Sequence, residues 1–167
     1  MRIIGFDPGI ARTGWGVIEV QSGKCKVQDY GCVETSPNLS TEKRLLAIYQ
    51  KLTGIIRRYK PDALAIEELF FNTNAKTAFI VGQARGVILL CAAKEDLPIA
   101  TYTPLQVKMA ITGYGRAEKK QVGKMVATLL RLKSIPKPDD VTDALAVALT
   151  HAFSKTYARI KNSSHML

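Results

Sequence analysis

A mixed α/β fold is the expectation for this 167-residue chain: one domain whose five-stranded sheet begins with an antiparallel three-stranded meander and is flanked by helices. Three observations predict it. Three strand-type segments follow one another before the first helical pattern, separated by turns that contain glycine. Two later strand-type segments each stand between helical patterns, as right-handed crossover connections require. The length, finally, suits one hydrophobic core with no second domain.

Residues 2–6 form a short apolar run that Asp7-Pro8-Gly9 interrupts, and residues 13–20 resume with Trp15, Val17 and Ile18, so a hairpin is expected. Residues 26–34 supply the third strand, which Ser36-Pro37-Asn38 ends. From Thr41 the apolar residues Leu45, Ile48, Leu52, Ile55 and Ile56 recur at helical spacing until Lys60-Pro61 stops the helix near Tyr59. Residues 63–67 are a compact strand, and Asn72, Thr73 and Asn74 offer N-caps to a helix over 75–94. After a fifth strand at 98–102, Thr103-Pro104 opens a short helix to Ile111, and Gly113-Tyr114-Gly115 forms a loop. Residues 118–132 are helical again, and Pro136 and Pro138 precede a last helix from Asp139 to about Lys155. The domain is placed at 1–158, and the polar, basic segment 159–167 is expected to be a disordered tail.

The charge narrows the partners. With 24 Lys and Arg against 14 Asp and Glu, the formal net charge is +10, which points to polyanions, nucleic acid first and an anionic membrane surface second. An apolar content of 47% favours a folded body over a basic arm. The longest uninterrupted apolar run, 87–93, is far short of the roughly 20 residues that span a bilayer, so no membrane partner is expected. Asp7 and Pro8 end the first apolar segment before a signal peptide could form. Cys25, Cys32 and Cys91 are odd in number and form no CxxC, which fits reduced thiols in a cytoplasm, as small buried hydrophobes.

Against that charge stand four carboxylates in three separate stretches: Asp7 in IIGFDPG, Glu67 in LAIEELF, and Asp140 with Asp143 in PDDVTDALA. If the strands ending in Asp7 and Glu67 are parallel neighbours, both acids lie at the carboxyl edge of the sheet, where ligands collect in open α/β folds. Asp140 and Asp143, three apart at a helix start, share one face of its first turn. Acids gathered beside a phosphate-attracting surface repel the same ligand unless divalent cations lie between, and four hard oxygen ligands suit Mg2+ or Mn2+ rather than zinc. Two such cations would clamp a scissile phosphate and activate a water for in-line attack. Each acid also has a plain reading: Asp140 and Asp143 as helix-capping residues, Asp7 as a turn aspartate, Glu67 as a strand end reaching solvent.

The segments GFDPGIARTGWGVIE, AIEELFF, GQARGV, TPLQVKMAITGYGRAEKKQV and DDVTDALAVALTHA, in this order, resemble the RuvC family of Holliday junction resolvases over nearly the whole chain. The resemblance implies an RNase H-like fold, a homodimer, dependence on Mg2+ or Mn2+ with two ions per active site, and paired nicks in four-way junction DNA during recombination and repair. It places the metal-binding and catalytic acids on Asp7, Glu67, Asp140 and Asp143, with Glu68 and Asp139 as immediate neighbours of that set. It places Lys119 near the scissile phosphate as a catalytic residue, Lys108 on the DNA backbone and Phe70 at the junction. Arg116 and Lys120, in the same GRAEKK segment, count as DNA-contact candidates. RuvA and RuvB branch-migration proteins are the implied partners.

Gly82 and Gly86, one helical turn apart, allow close approach of another element, within the subunit or from a second copy across a two-fold interface. Phe70 and Phe71 are adjacent, so in extended chain one points inward and the other outward, free to stack on an unpaired base. Three rival functions fit these residues less well. A pre-16S ribosomal RNA processing nuclease of the same fold lacks the GQARG and QVK segments; an actin-like kinase needs a second phosphate loop and many more residues; an architectural DNA-binding protein has no use for four converging acids.

Overall fold

The computed structural model describes residues 1–68 and 75–164, with the side chains of 75, 76 and 156–164 outside the description. Strands β1 (Arg2–Asp7), β2 (Arg12–Gln21) and β3 (Lys24–Glu34) form the antiparallel meander, and helix α1 (Thr41–Tyr59) follows. Then come β4 (Ala63–Glu67), α2 (Ala75–Lys94), β5 (Ile99–Tyr102), α3 (Pro104–Thr112), α4 (Lys119–Leu129) and α5 (Asp139–Ser164). The sheet order is β3-β2-β1-β4-β5, with β1, β4 and β5 parallel.

The period-2 alternation of β1 separates the two layers. Ile3 faces a core shared with α3, α4 and α5, whereas Ile4 and Phe6 face a second core with Ile48, Leu52 and Ile56 of α1 and Ile88, Cys91 and Ala92 of α2. α5 lies close against the central strands because those strands carry glycine where it crosses. A Cβ on Gly5 would collide with the carbonyl oxygen of Ala144, and one on Gly14 with that of Asp140. The start of α5 is therefore locked to β2 backbone against backbone.

The termini of the helices mark where tertiary structure overrides local pattern. α3 begins with a capping box, in which Gln106 N donates to Thr103 Oγ1 (3.1 Å) and Thr103 N to Gln106 Oε1 (2.8 Å). α4 ends at Leu129, short of the 132 expected, because Arg131 takes a left-handed conformation (φ 54°) and Leu132 N closes onto Ala127 O at 2.8 Å, which buries Leu130. α5 is longer than expected: the backbone stays helical through 159–164, part of the segment assigned to a disordered tail. Neither Gly nor Pro interrupts that stretch, and Lys155, Ala158, Arg159 and Lys161 favour helix.

α2 is two-sided in an unusual way. By length and composition residues Thr77–Lys94 could cross a bilayer, but Ala84, Ile88, Cys91 and Ala92 belong to the core against α1 and the sheet. The outward side carries Phe79 at 67% and Leu90 at 52% exposure.

Candidate active site at the carboxyl edge of the sheet

Asp7 is the last residue of β1 and Glu67 the last of β4, and the parallel register that pairs Phe6 with Ile66 sets them side by side at one edge. The first turn of α5, held down on Gly14, brings Asp140 and Asp143 to the same edge. The four acids feel one another. Asp7 is pushed up to about 8, first by burial and then by the charges of Asp143, Asp140 and Glu67, with Lys119 opposing. Glu67 is raised to about 7 by burial and by Asp143, against Lys108 and Lys119. Burial also raises Asp143, although its bond to Lys119 works the other way.

Two side-chain cations already answer part of this negative charge. Lys119 Nζ stands 2.8 Å from Asp143 Oδ2 and 3.9 Å from Asp139 Oδ2. Burial disfavours the Lys119 charge, but its bond to Asp143 and the surrounding acids prevail and raise its pKa. Arg12 Nε lies 3.3 Å from Asp140 Oδ2, an ion pair without hydrogen-bond alignment, so that buried oxygen has no hydrogen-bond donor. Among the described residues no three Asp, Glu, His or Cys side chains form a ready-made cage in this arrangement, with Asp143 turned to Lys119 and Asp140 to Arg12. The donor set nevertheless fits a divalent cation: carboxylate oxygens only, two of the acids held toward their neutral forms, and one buried oxygen lacking a donor.

Beside the acids a cavity of about 280 Å³ is lined by Glu67, Lys108, Lys119 and Asp143 over an apolar floor of Pro104, Val107, Val122 and Ala146. A larger one, about 760 Å³, lies at the opposite end of the sheet between the β2–β3 turn and the end of α4, with Glu19 as its only acid. Chemistry rather than size selects the smaller.

The other candidates divide clearly. Lys108 and Lys119 face the acids; Arg116 and Lys120 are exposed. Glu68 is exposed, and exposed Asp139 pairs with Lys137 at 3.0 Å, its carboxyl held below the usual range by that lysine. Phe70 and Phe71, like the proposed N-caps Asn72, Thr73 and Asn74, lie outside the described residues. Gly82 is half-buried; Gly86 is exposed, and a Cβ there meets nothing within 4 Å, so packing inside the subunit does not account for it. The sequence reading passed over two features. Arg12 was not singled out, although it sits two residues before Gly14 on the strand face that meets α5. Buried His151, which no motif in the sequence marked, shares a 2.7 Å hydrogen bond with Tyr102 at the end of β5.

Comparison with known proteins adds an independent line. The model of the family described as "Crossover junction endodeoxyribonuclease RuvC" matches residues 3–151. The chain is 57% identical over 163 residues to the crossover junction endodeoxyribonuclease RuvC of Desulforamulus reducens, covering 96% of this chain and 100% of that protein. Among solved structures, Thermus thermophilus RuvC superposes with a TM-score of 0.86 at 39% identity, over 96% of this chain and 97% of the other. The same protein in complex with Holliday junction substrate gives 0.85 at 37%, over 96% of each chain.

Proposed function

This chain belongs to the RuvC family, and from that premise we propose that it resolves four-way DNA junctions by metal-dependent hydrolysis, placing one nick in each of two opposing strands. One observation carries the chemistry: four acids from three parts of the chain meet at a sheet edge flanked by Lys108 and Lys119, where burial and neighbouring acids raise the pKa of Asp7, Glu67 and Asp143, in a protein of net charge +10.

Asp7, Glu67, Asp140 and Asp143 would hold Mg2+, two ions during catalysis, with Mn2+ able to substitute. Bound there, the ions would supply a water acidic enough to attack phosphorus and a counter-charge for the leaving 3′ oxygen. The chain's own residues do the rest. Asp7 and Glu67 keep their protons while the acids repel one another and release them when positive charge arrives. Lys119, no longer needed by Asp143, can turn its ammonium to a phosphate oxygen, and Lys108 adds a second positive group at the cavity wall. The RNase H-like sheet keeps the acids in register, and the basic surface, including Arg116 and Lys120, gathers the DNA. Phe70, three residues past Glu67, is the proposed stacking contact at the strand exchange point. Paired nicks call for two active sites, so a homodimer through the outer face of α2 completes the reading. RuvA and RuvB as partners, and a bacterial cytoplasmic location, rest on family membership alone.

The test is a synthetic four-way junction with and without Mg2+. Asp7→Asn or Glu67→Gln is expected to abolish symmetric nicking while junction binding stays intact or tightens. Full cleavage by either variant, or by the wild type in chelator, excludes the assignment. Loss of binding together with cleavage in folded Asp7→Asn points instead to an architectural role for the acids.

A further inference from the structure

Among the described residues, Arg12 is a side-chain cation at the site edge for which the proposed mechanism has no role. Its position is built. Arg12 and Gly14 lie on the same face of β2, two residues apart, and Gly14 is in backbone contact with Asp140, so the packing that seats α5 also sets Arg12 against that aspartate. The ion pair joins Arg12 Nε to Asp140 Oδ2 at 3.3 Å, and this oxygen is buried without any hydrogen-bond donor. The aspartate side chain is 22% exposed and the arginine 53%, so the arginine is the partner that can leave.

It also has somewhere to go. The antiparallel register pairs Arg12 with Glu34 of β3 directly across the ladder, on the same face of the sheet. Glu34 is exposed and takes part in no ion pair among the described residues. Burial raises the pKa of Cys32, two residues before Glu34, and the charges of Asp140, Glu34 and Arg12 also act on it, which places all three in one neighbourhood.

We propose that Arg12 is a resident counter-ion for Asp140 that exchanges to Glu34 when a divalent cation binds, so that the Arg12 and Glu34 pair sets the cation concentration at which the site fills. A guanidinium at Asp140 repels an incoming divalent ion and occupies the oxygen it needs; a glutamate one strand away offers the guanidinium a second anchor and lowers the cost of release. The proposal rests on the divalent-cation reading of the four acids.

Calorimetric titration of the full-length, DNA-free protein with Mn2+ tests it, and cleavage is not the readout. Arg12→Gln is expected to bind Mn2+ about twofold to fivefold more tightly than wild type, the range for one partly exposed charge pair. Glu34→Gln is expected to bind it about threefold less tightly. The deciding measurement is the double variant. If Glu34 acts through Arg12, Glu34→Gln has no further effect once Arg12 is glutamine; if the two are only fixed charges, their effects add. Additive effects overturn the exchange, and an unchanged Mn2+ affinity in Arg12→Gln overturns the counter-ion role altogether. Asp7→Asn separates this from the underlying reading. Should Asp7→Asn bind Mn2+ as the wild type does, the cation site itself is wrong; should it lose Mn2+ while Arg12→Gln matches wild type, only the role of Arg12 falls.

Discussion

The two long helices on opposite faces of the sheet, α5 and α2, are both rich in apolar residues and use them in opposite ways. α5 buries Val141, Ala144, Leu145, Ala146, Val147, Ala148, Leu149 and Ala152 almost completely. α2 buries Ala84, Ile88, Cys91 and Ala92 on one side and leaves Phe79 and Leu90 in the open on the other. The difference follows from what each helix carries. α5 holds two acids that must meet two others from strands far away in sequence, so it is surrounded and its start is pinned to Gly14. α2 carries no acid and presents an apolar surface that the fold of the chain itself does not cover.

The largest effect that would break this contrast concerns two leucines. Leu149→Ala in α5 removes a side chain with no exposure and is expected to cost roughly 2–5 kcal/mol. At about 2–4 °C of melting temperature per kcal/mol, the loss is plain in a thermal scan. Leu90→Ala in α2 is expected to change the stability of the chain little, while Leu90→Glu is expected to leave only monomer in sedimentation if the proposed dimer forms through α2. A Leu90→Glu protein that still sediments as a dimer would remove α2 from the interface.

A pair of glycines sharpens the same point at a smaller cost. Gly14→Ala drives a methyl into the carbonyl of Asp140, which overpacking costs suggest is worth about 1–3 kcal/mol. Because the strain falls on Asp140 itself, cleavage should fall by more than the loss of folded protein explains. Gly86→Ala meets open space in the subunit and removes a flexible residue from a helix, so the subunit should gain about 0.5–1 kcal/mol. Gly86→Leu fills the same space with a bulk that a second copy could not accept. Lower stability for Gly86→Ala, measured where the protein is monomeric, would show that Gly86 packs within the subunit after all.

These residues also mark how far the sequence could be read. Helix α1 at Thr41–Tyr59, strand β4 at Ala63–Glu67 and helix α2 at Ala75–Lys94 match their expected bounds, because periodicity and breakers such as Lys60-Pro61 are local signals. The meeting of Asp7 and Glu67 could be foreseen from two strand ends and one assumption, that the strands are parallel neighbours, which they are. The Arg12–Asp140 and Lys119–Asp143 pairs were not legible, since each joins residues from separate elements and depends on where α5 crosses the sheet. The glycines that permit that crossing, Gly5 and Gly14, look like ordinary strand or turn residues until the helix above them is known. The early end of α4 depends on a left-handed Arg131, a conformation arginine rarely signals.

Most of the pH dependence should come from the acids at the α5 edge, with buried His151, its pKa lowered by burial, opposing them below about 6.5. Asp7 stands at about 8 in the fold against an ordinary 3.8, and Glu67 at about 7 against 4.5, so between those values the folded protein holds protons that the unfolded chain has lost. The acids' contribution to stability in chelator should therefore fall as pH rises from about 4 to about 8, the reverse of the usual salt-bridged carboxylate, and above about 6.5, where His151 is neutral in both states, the fall is theirs. Asp7→Asn should flatten much of that fall, saturating Mg2+ should offset it, and Leu90→Ala should leave its slope untouched. Melting temperatures across that range, with chelator and with Mg2+, measure all three; a slope of the opposite sign without Mg2+ would mean that the acids are held ionised by Arg12, Lys108 and Lys119.

The smallest effect separates the two lysines at the mouth of the site. Lys108 lines the cavity beside Glu67 without an ion pair among the described residues, whereas Lys119 is tied to Asp143 at 2.8 Å. A lysine that meets only phosphate gives up a counterion when DNA binds, so Lys108→Ala should weaken junction binding and reduce the slope of log K against log salt by about 0.9. Lys119 already neutralises a carboxylate, and removing it leaves Asp143 to repel both DNA and its fellow acids. Lys119→Ala should therefore slow cleavage by more than it weakens binding, and with Mg2+ present its salt slope should change less than that of Lys108→Ala. Equal slopes for the two variants, measured on one junction over the same salt range, would mean that Lys119 reaches the backbone in the bound state as freely as Lys108 does, and that its pairing with Asp143 belongs only to the DNA-free protein.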